Sequence, residues 1–155
     1  MKSEERTFIA VKPDGVKRGI VGEIVKRFEH KGFKLIGMKM LNVTEEMAKK
    51  HYAEHEGKPF YPRLIRYIQS GPIVAMVWKG LDVIHGARIL MGSTNPNDAQ
   101  VGTIRADFAQ VMEFNVVHGS DSPESAEREI EIYFTPEEIC DDYENMSEIM
   151  AESEE

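Results

Sequence analysis

Two periods of apolar and polar positions run along this chain. The stretch "TFIAVK" (7–12) is an almost unbroken apolar run, the pattern of a central strand covered on both faces. "KPDG" (12–15) ends it with turn residues. Val21, Ile24, Val25 and Phe28 then recur at helical spacing within 21–31, and Gly32 follows as a stop. "FKLIGMKML" (33–41) alternates roughly, as a second strand. Thr44 followed by Glu45 and Glu46 predicts a helix start. That helix extends through Tyr52, and a second runs from about Pro62 to Gln69 after the "GKPFYP" break. "PIVAMVW" (72–78) is a third strand, 81–91 a helix closed by Gly92, and "FNVVH" (114–118) a fourth strand. Ser122 before Pro123 predicts a capped helix with proline at its first position.

The order is β-α-β-(α-α)-β-α-β-α. Two β-α-β units with an inserted helical pair suggest a ferredoxin-like α/β sandwich: a four-stranded antiparallel βαββαβ sheet with helices packed on it. Between the third and fourth strands lies "GSTNPNDAQVGT" (92–103), a polar loop of a length that is usually functional or disordered.

Composition narrows the function. With 155 residues the chain forms one domain, its body 1–143 followed by a tail, 144–155. The single cysteine, Cys140, rules out an internal disulfide and suits a reducing cytosol. The charged N-terminus lacks the apolar run of a signal peptide, and "PIVAMVW" is far too short to cross a bilayer, so a cytoplasmic location without membrane contact is expected. The net charge of −8 is local. Residues 136–155 hold 9 of the 27 acidic side chains and no Lys or Arg, leaving 18 acidic against 19 basic groups in the rest. A nearly neutral body makes a nucleic-acid face unlikely but leaves room for a local phosphate pocket. The tail itself reads as a mostly disordered acidic brush, although Met146, Ile149 and Met150 are spaced to form a small helical stripe.

Candidate chemistry centres on "NVVHGSDS" (115–122), where His118 stands at the lip of a strand beside Gly119. A histidine is more often solvated or satisfied in a core than functional. A metal site lacks support in spacing, since there is no HExxH, no second Cys and no suitable His pair near His118. Cys140 sits among carboxylates that raise a thiol's pKa and make it a poor nucleophile. Walker-type GxxxxGKS/T and dinucleotide GxGxxG patterns are absent.

The helix after His118 changes its standing. Ala126, Ile130 and Tyr133 share one face, and Glu129 lies on that inward side. A carboxylate turned toward a core needs a partner. It either reaches solvent or a lysine, or it meets the imidazole on the preceding strand. An imidazole held through one N–H keeps its other nitrogen bare as a nucleophile. Gly119 would keep an approach open, and the helix start favours an anion, so phosphate is the natural target. Lys12, Arg88 and Arg105, each unremarkable alone, flank the polar loop at element ends.

Together "ERTFIAVKPDGVKRG", "HYAEHEGKPFYP", "SGPIVAMVW", "GSTNPNDAQVGTIRADF" and "NVVHGSDSPESAEREI" resemble the nucleoside diphosphate kinases, over about residues 5 to 143. The resemblance implies ping-pong transfer of the γ-phosphate of ATP or another nucleoside triphosphate to a nucleoside diphosphate, with little base specificity. It implies a phosphohistidine on His118, oriented by Glu129. Lys12, Tyr52, Arg88, Thr94, Arg105 and Asn115 match positions that bind phosphates, ribose or the transferring group. Phe60 matches the aromatic that stacks on the base, with Met112 opposite. Mg²⁺ is implied as cofactor, held mainly by the nucleotide phosphates with Asp121 nearby. A homo-oligomer is implied, most often a hexamer, although "ENMSEIMAESEE" lacks the aromatic-rich ending many members use at subunit contacts. Ala106 replaces a common glycine and touches no implied role.

Overall fold

A computed structural model describes residues 4–153. Four strands form one sheet: β1 (Glu4–Val11), β2 (Lys34–Leu41), β3 (Ile73–Leu81) and β4 (Val117–Gly119), in the order β2-β3-β1-β4. Every pairing is antiparallel. The helices are α1 (Pro13–Lys17), α2 (Val21–Lys31), α3 (Glu45–His51), α4 (Tyr61–Ile68), α5 (Val83–Met91), α6 (Ile104–Phe108), α7 (Pro123–Tyr133) and α8 (Met146–Glu152). The expected ferredoxin-like sandwich is the observed fold, with α3 and α4 as the inserted pair.

Residues 8–11 of β1 are apolar without a break because both faces of the strand are covered there. Phe8 and Ala10 join Ala75, Val77, Ile130 and Tyr133 in one cluster. Ile9 and Val11 join Val74, Met76, Trp78, Phe28 and Met91 in the other. Side chains alternate along a strand, so each β1 residue is committed to one layer. The predicted caps form as well: Thr44 Oγ1 accepts from Met47 N at 3.1 Å, and Ser122 Oγ from Ser125 N at 3.1 Å.

Several boundaries differ from the sequence reading. β3 continues to Leu81, so α5 begins at Val83 rather than 81. α1 and α6 are short helices that five residues of pattern did not reveal. The fourth strand is three residues long instead of "FNVVH": Met112–Phe114 form a 3₁₀ turn, and Val116 takes φ = 77°. Positive φ is costly for a β-branched residue. It is held by three bonds: Lys12 N to Val116 O at 2.8 Å, Val116 N to Asp14 Oδ2 at 3.1 Å, and Val117 N to Asn115 O at 2.8 Å. The last closes a γ-turn that breaks the strand.

The tail also departs from the brush expectation. Asn145 and Glu148 form a reciprocal capping box that starts α8, satisfying donors a self-repelling segment would otherwise leave to water. Met146, Ile149 and Met150 nevertheless remain exposed. Just upstream, Cys140 N donates to Ile36 O at 2.7 Å and the Tyr143 hydroxyl to Leu35 O, which lays the chain along the start of β2.

Candidate active site

The register between β1 and β4 aims His118. It pairs with Ala10, so its side chain enters the layer that contains Phe8 and is covered by α7, while its neighbours Val117 and Gly119 pair with Val11 and Ile9. From α7, Glu129 points inward and is only 4% exposed. His118 Nε2 and Glu129 Oε1 lie 2.6 Å apart. The carboxylate accepts from Nε2–H, and the same oxygen accepts from Ser120 Oγ at 2.9 Å. A carboxylate that fixes one ring nitrogen sets the tautomer and leaves Nδ1 with its lone pair. This is the inward pairing anticipated from the helix face.

Cations gather around the ring. A cavity of about 250 Å³ is lined by His118 together with Lys12, Arg88, Arg105, Thr94 and Asn115, among others. Lys12 sits just past β1 and donates to Asn115 Oδ1 at 2.9 Å, while Asn115 Nδ2 donates to Thr94 O at 3.0 Å. Arg105 is clamped by carbonyls, donating to Gly92 O and Val117 O at 2.8 Å each. Arg88 donates to Gly119 O at 3.3 Å. Three cations crowding a partly dry pocket raise one another's cost. Burial and then Arg105 pull the Lys12 ammonium down to about 8, against a smaller opposing effect of Asp14. Burial and then Arg88 bring Arg105 down to about 10. Such a site calls for an anion, because a polyanionic guest relieves the repulsion.

The neighbouring cleft, of about 400 Å³, adds the remaining candidates. Phe60, Met112, Tyr52, Leu64 and Phe114 line it together with Lys12 and His118. Phe60 and Met112 stay exposed, as apolar surfaces awaiting a guest would be. Tyr52 is buried at the junction, and burial followed by the charge of Glu129 pushes its hydroxyl up to about 12. Asp121 is exposed at the rim. Its carboxyl is held below the usual range by Ser125, then by Arg88 and His118.

Two residues escaped sequence inspection. His51 is buried at the end of α3, with its ring centroid 4.5 Å from that of His118. It follows Ala48 by three positions on the buried face of α3, the same periodic signal that exposed Glu129. Asp14 accepts from Val116 N and from the Tyr67 hydroxyl, and so holds the turn before β4. Gly119 also has a packing purpose that its position in the sequence does not reveal. A Cβ there would lie 2.3 Å from Met91 Cε, so the glycine admits α5 against β4 beside the cavity that it lines together with His118.

A braced imidazole, a cluster of cations around it with Arg105 buried, and an adjoining apolar cleft define a phosphate-transferring, nucleotide-binding enzyme on a ferredoxin-like sheet. The family model described as "Nucleoside diphosphate kinase" matches residues 5–139. The chain is 57% identical over 137 residues to the nucleoside diphosphate kinase of Columba livia, covering 88% of this chain and 90% of that protein. It is 56% identical over 141 residues to nucleoside diphosphate kinase B of Mus musculus, covering 91% and 93%. Among solved structures, a halophilic nucleoside diphosphate kinase from Halobacterium salinarum, in complex with CDP, superimposes with a TM-score of 0.90 at 47% identity, covering 95% of this chain and 98% of that one. A nucleoside diphosphate kinase family protein from Babesia bovis gives the same TM-score at 46% identity, covering 94% and 99%.

The chain belongs to the nucleoside diphosphate kinase family. It is a phosphotransferase that uses nucleoside tri- and diphosphates.

Proposed function

We propose that His118 carries the phosphoryl group between two half-reactions. Nδ1 attacks the γ-phosphorus of a nucleoside triphosphate, the P–N bond forms as the bond to the bridging oxygen breaks, and the diphosphate leaves. The Nε2 proton remains shared with Glu129 throughout. A second diphosphate then attacks the phosphohistidine with a terminal oxygen and departs as triphosphate. The observation that carries this proposal is the 2.6 Å His118–Glu129 bond set inside a cluster of cations.

Lys12, Arg88 and Arg105 neutralise phosphate charge, while Thr94 and Asn115 orient phosphate and ribose groups. Positioning and charge stabilisation are most of what phosphoryl transfer requires. Tyr52 closes the wall between phosphate and base. Phe60 and Met112 sandwich the base from two apolar faces, which accept any ring and so leave little base specificity. Magnesium fits a site whose hard oxygen donors come chiefly from the nucleotide, with Asp121 an exposed carboxylate on the cavity rim; when bound it would neutralise charge across the phosphates.

Residues 1–143 are proposed as the catalytic domain and 144–155 as an acidic appendage. Assembly into a homo-oligomer, a hexamer on family precedent, is supported by β2 being an edge strand whose second half carries Met38 and Met40, 44% and 61% exposed. A cytoplasmic location is supported by the lone exposed thiol, Cys140. No helix among the described residues is long and apolar enough to cross a membrane.

The test is incubation with γ-labelled ATP and Mg²⁺. Acid-labile, alkali-stable label is expected on the wild type and none on His118→Gln. Label of that kind on the variant, or its absence from the wild type, would reject His118 as the carrier.

A further inference from the structure

His51 is a buried imidazole, 5% exposed, with one nitrogen left over. Its Nδ1 lies 2.8 Å from the Tyr133 hydroxyl. Its Nε2 has no hydrogen-bond partner among the described residues. An unsatisfied buried polar atom is costly, so it marks a place where a partner belongs. The ring stands at 66° to His118 and lines the same cavity. One ligand atom each from His51, His118 and Glu129 lie within 4.8 Å of one another.

We propose that His51, His118 and Glu129 form an inhibitory site for a borderline-soft divalent cation of the Zn²⁺ class. Two imidazoles and one carboxylate, with a fourth position open to the cavity, are a familiar zinc donor set. Donors held about 2.0–2.1 Å from tetrahedral Zn²⁺ stand roughly 3.3 Å apart. His51 therefore draws in by up to about 1.5 Å, and the 2.6 Å His118–Glu129 contact opens as the cation takes the place of the shared proton, which leaves to solvent. Supporting bonds already orient two of the ligands: Nδ1–H of His51 donates to the Tyr133 hydroxyl in the metal-binding tautomer, and Ser120 Oγ donates to Glu129.

Mg²⁺ does not compete for this trio, because it demands octahedral oxygen ligands and retains its waters. Lys12, Arg88 and Arg105 face the cavity and Arg128 lies 3.6 Å from Glu129, so the affinity falls short of that of a closed structural zinc site. The inhibitory effect rests on His118 being the phosphate carrier; the binding does not.

Co²⁺, which reports tetrahedral coordination by its visible ligand-field absorption, is the probe for the intact protein. The expected result is an intense tetrahedral band saturating at one Co²⁺ per chain and displaced by Zn²⁺. Affinity should fall at least tenfold in His51→Gln, with circular dichroism confirming the fold, and also in Glu129→Gln, whereas Cys140→Ser should bind as the parent does. Absence of the band, or undiminished binding by both ligand variants, overturns the site. Formation of phosphohistidine at the metal-free rate in the Zn²⁺-loaded protein overturns its inhibitory role. Failure of the metal-free protein to label at all would instead reject the proposed carrier and leave the binding result standing.

Discussion

His118 and Glu129 meet at 2.6 Å because one strand register and one helix periodicity converge: His118 pairs with Ala10 on the face that α7 covers, and Glu129 occupies the inward stripe of α7. The bond also depends on Ser120, which donates to the same carboxylate oxygen and limits its freedom.

Glu129→Gln keeps the size of that side chain and removes its charge. The amide can still accept from the ring but stabilises an imidazolium less and orients it less firmly. Phosphohistidine formation should slow by roughly tenfold to a thousandfold while nucleotide still binds. Stopped-flow phosphorylation at the wild-type rate would show that orientation by the carboxylate is dispensable.

Lys12 gives a pH dependence with opposite signs for stability and activity. Burial, ahead of repulsion by Arg105, lowers its pKa from 10.5 to about 8. The unfolded chain then binds more protons between those values, so stability rises as pH climbs through that window. The charge available to phosphate disappears over the same range, and kcat/KM should fall toward tenfold per pH unit above about 8. In Lys12→Gln both slopes attributable to this group should vanish. A wild-type kcat/KM that stays level to pH 10 would contradict the role given to Lys12.

Phe60→Ala removes one wall of the apolar cleft. Stacking contributes about 1–3 kcal/mol per base and reads no base edge, so KM should rise by a similar factor, about five- to a hundredfold, for every nucleotide. A loss confined to purines or to pyrimidines would refute a base-blind pocket.

Gly119→Ala should destabilise the fold rather than block the site. The added methyl would lie 2.3 Å from Met91 Cε, 2.9 Å from its sulfur and 3.0 Å from Ile9 Cδ1, and all of these are buried. Overpacking of this kind costs about 1–3 kcal/mol. Denaturant unfolding measures it, and a midpoint matching the wild type would mean that Met91 finds another rotamer at no cost.

Local chemistry in the sequence by itself determined the longer elements and the caps at Thr44 and Ser122. The double-sided apolar run of β1, Thr44 before α3 and Ser122–Pro123 before α7 each act within a few residues, where period and capping decide the outcome. The inward turn of Glu129 was legible for the same reason, and the resemblance of the motifs carried the family and the implied site residues. Only the tertiary structure decided the rest, because it depends on groups far apart in the chain. His51 lies 67 positions before His118 yet 4.5 Å from it, ring to ring. The bend at Val116, which cut the predicted fourth strand to three residues, is held by Lys12 and Asp14 from the other end of the chain. The packing of Met91 against Gly119 is invisible in the sequence for the same reason. Periodicity states which way a side chain points along its own element; what it meets there is set by strand register and helix docking, which are long-range.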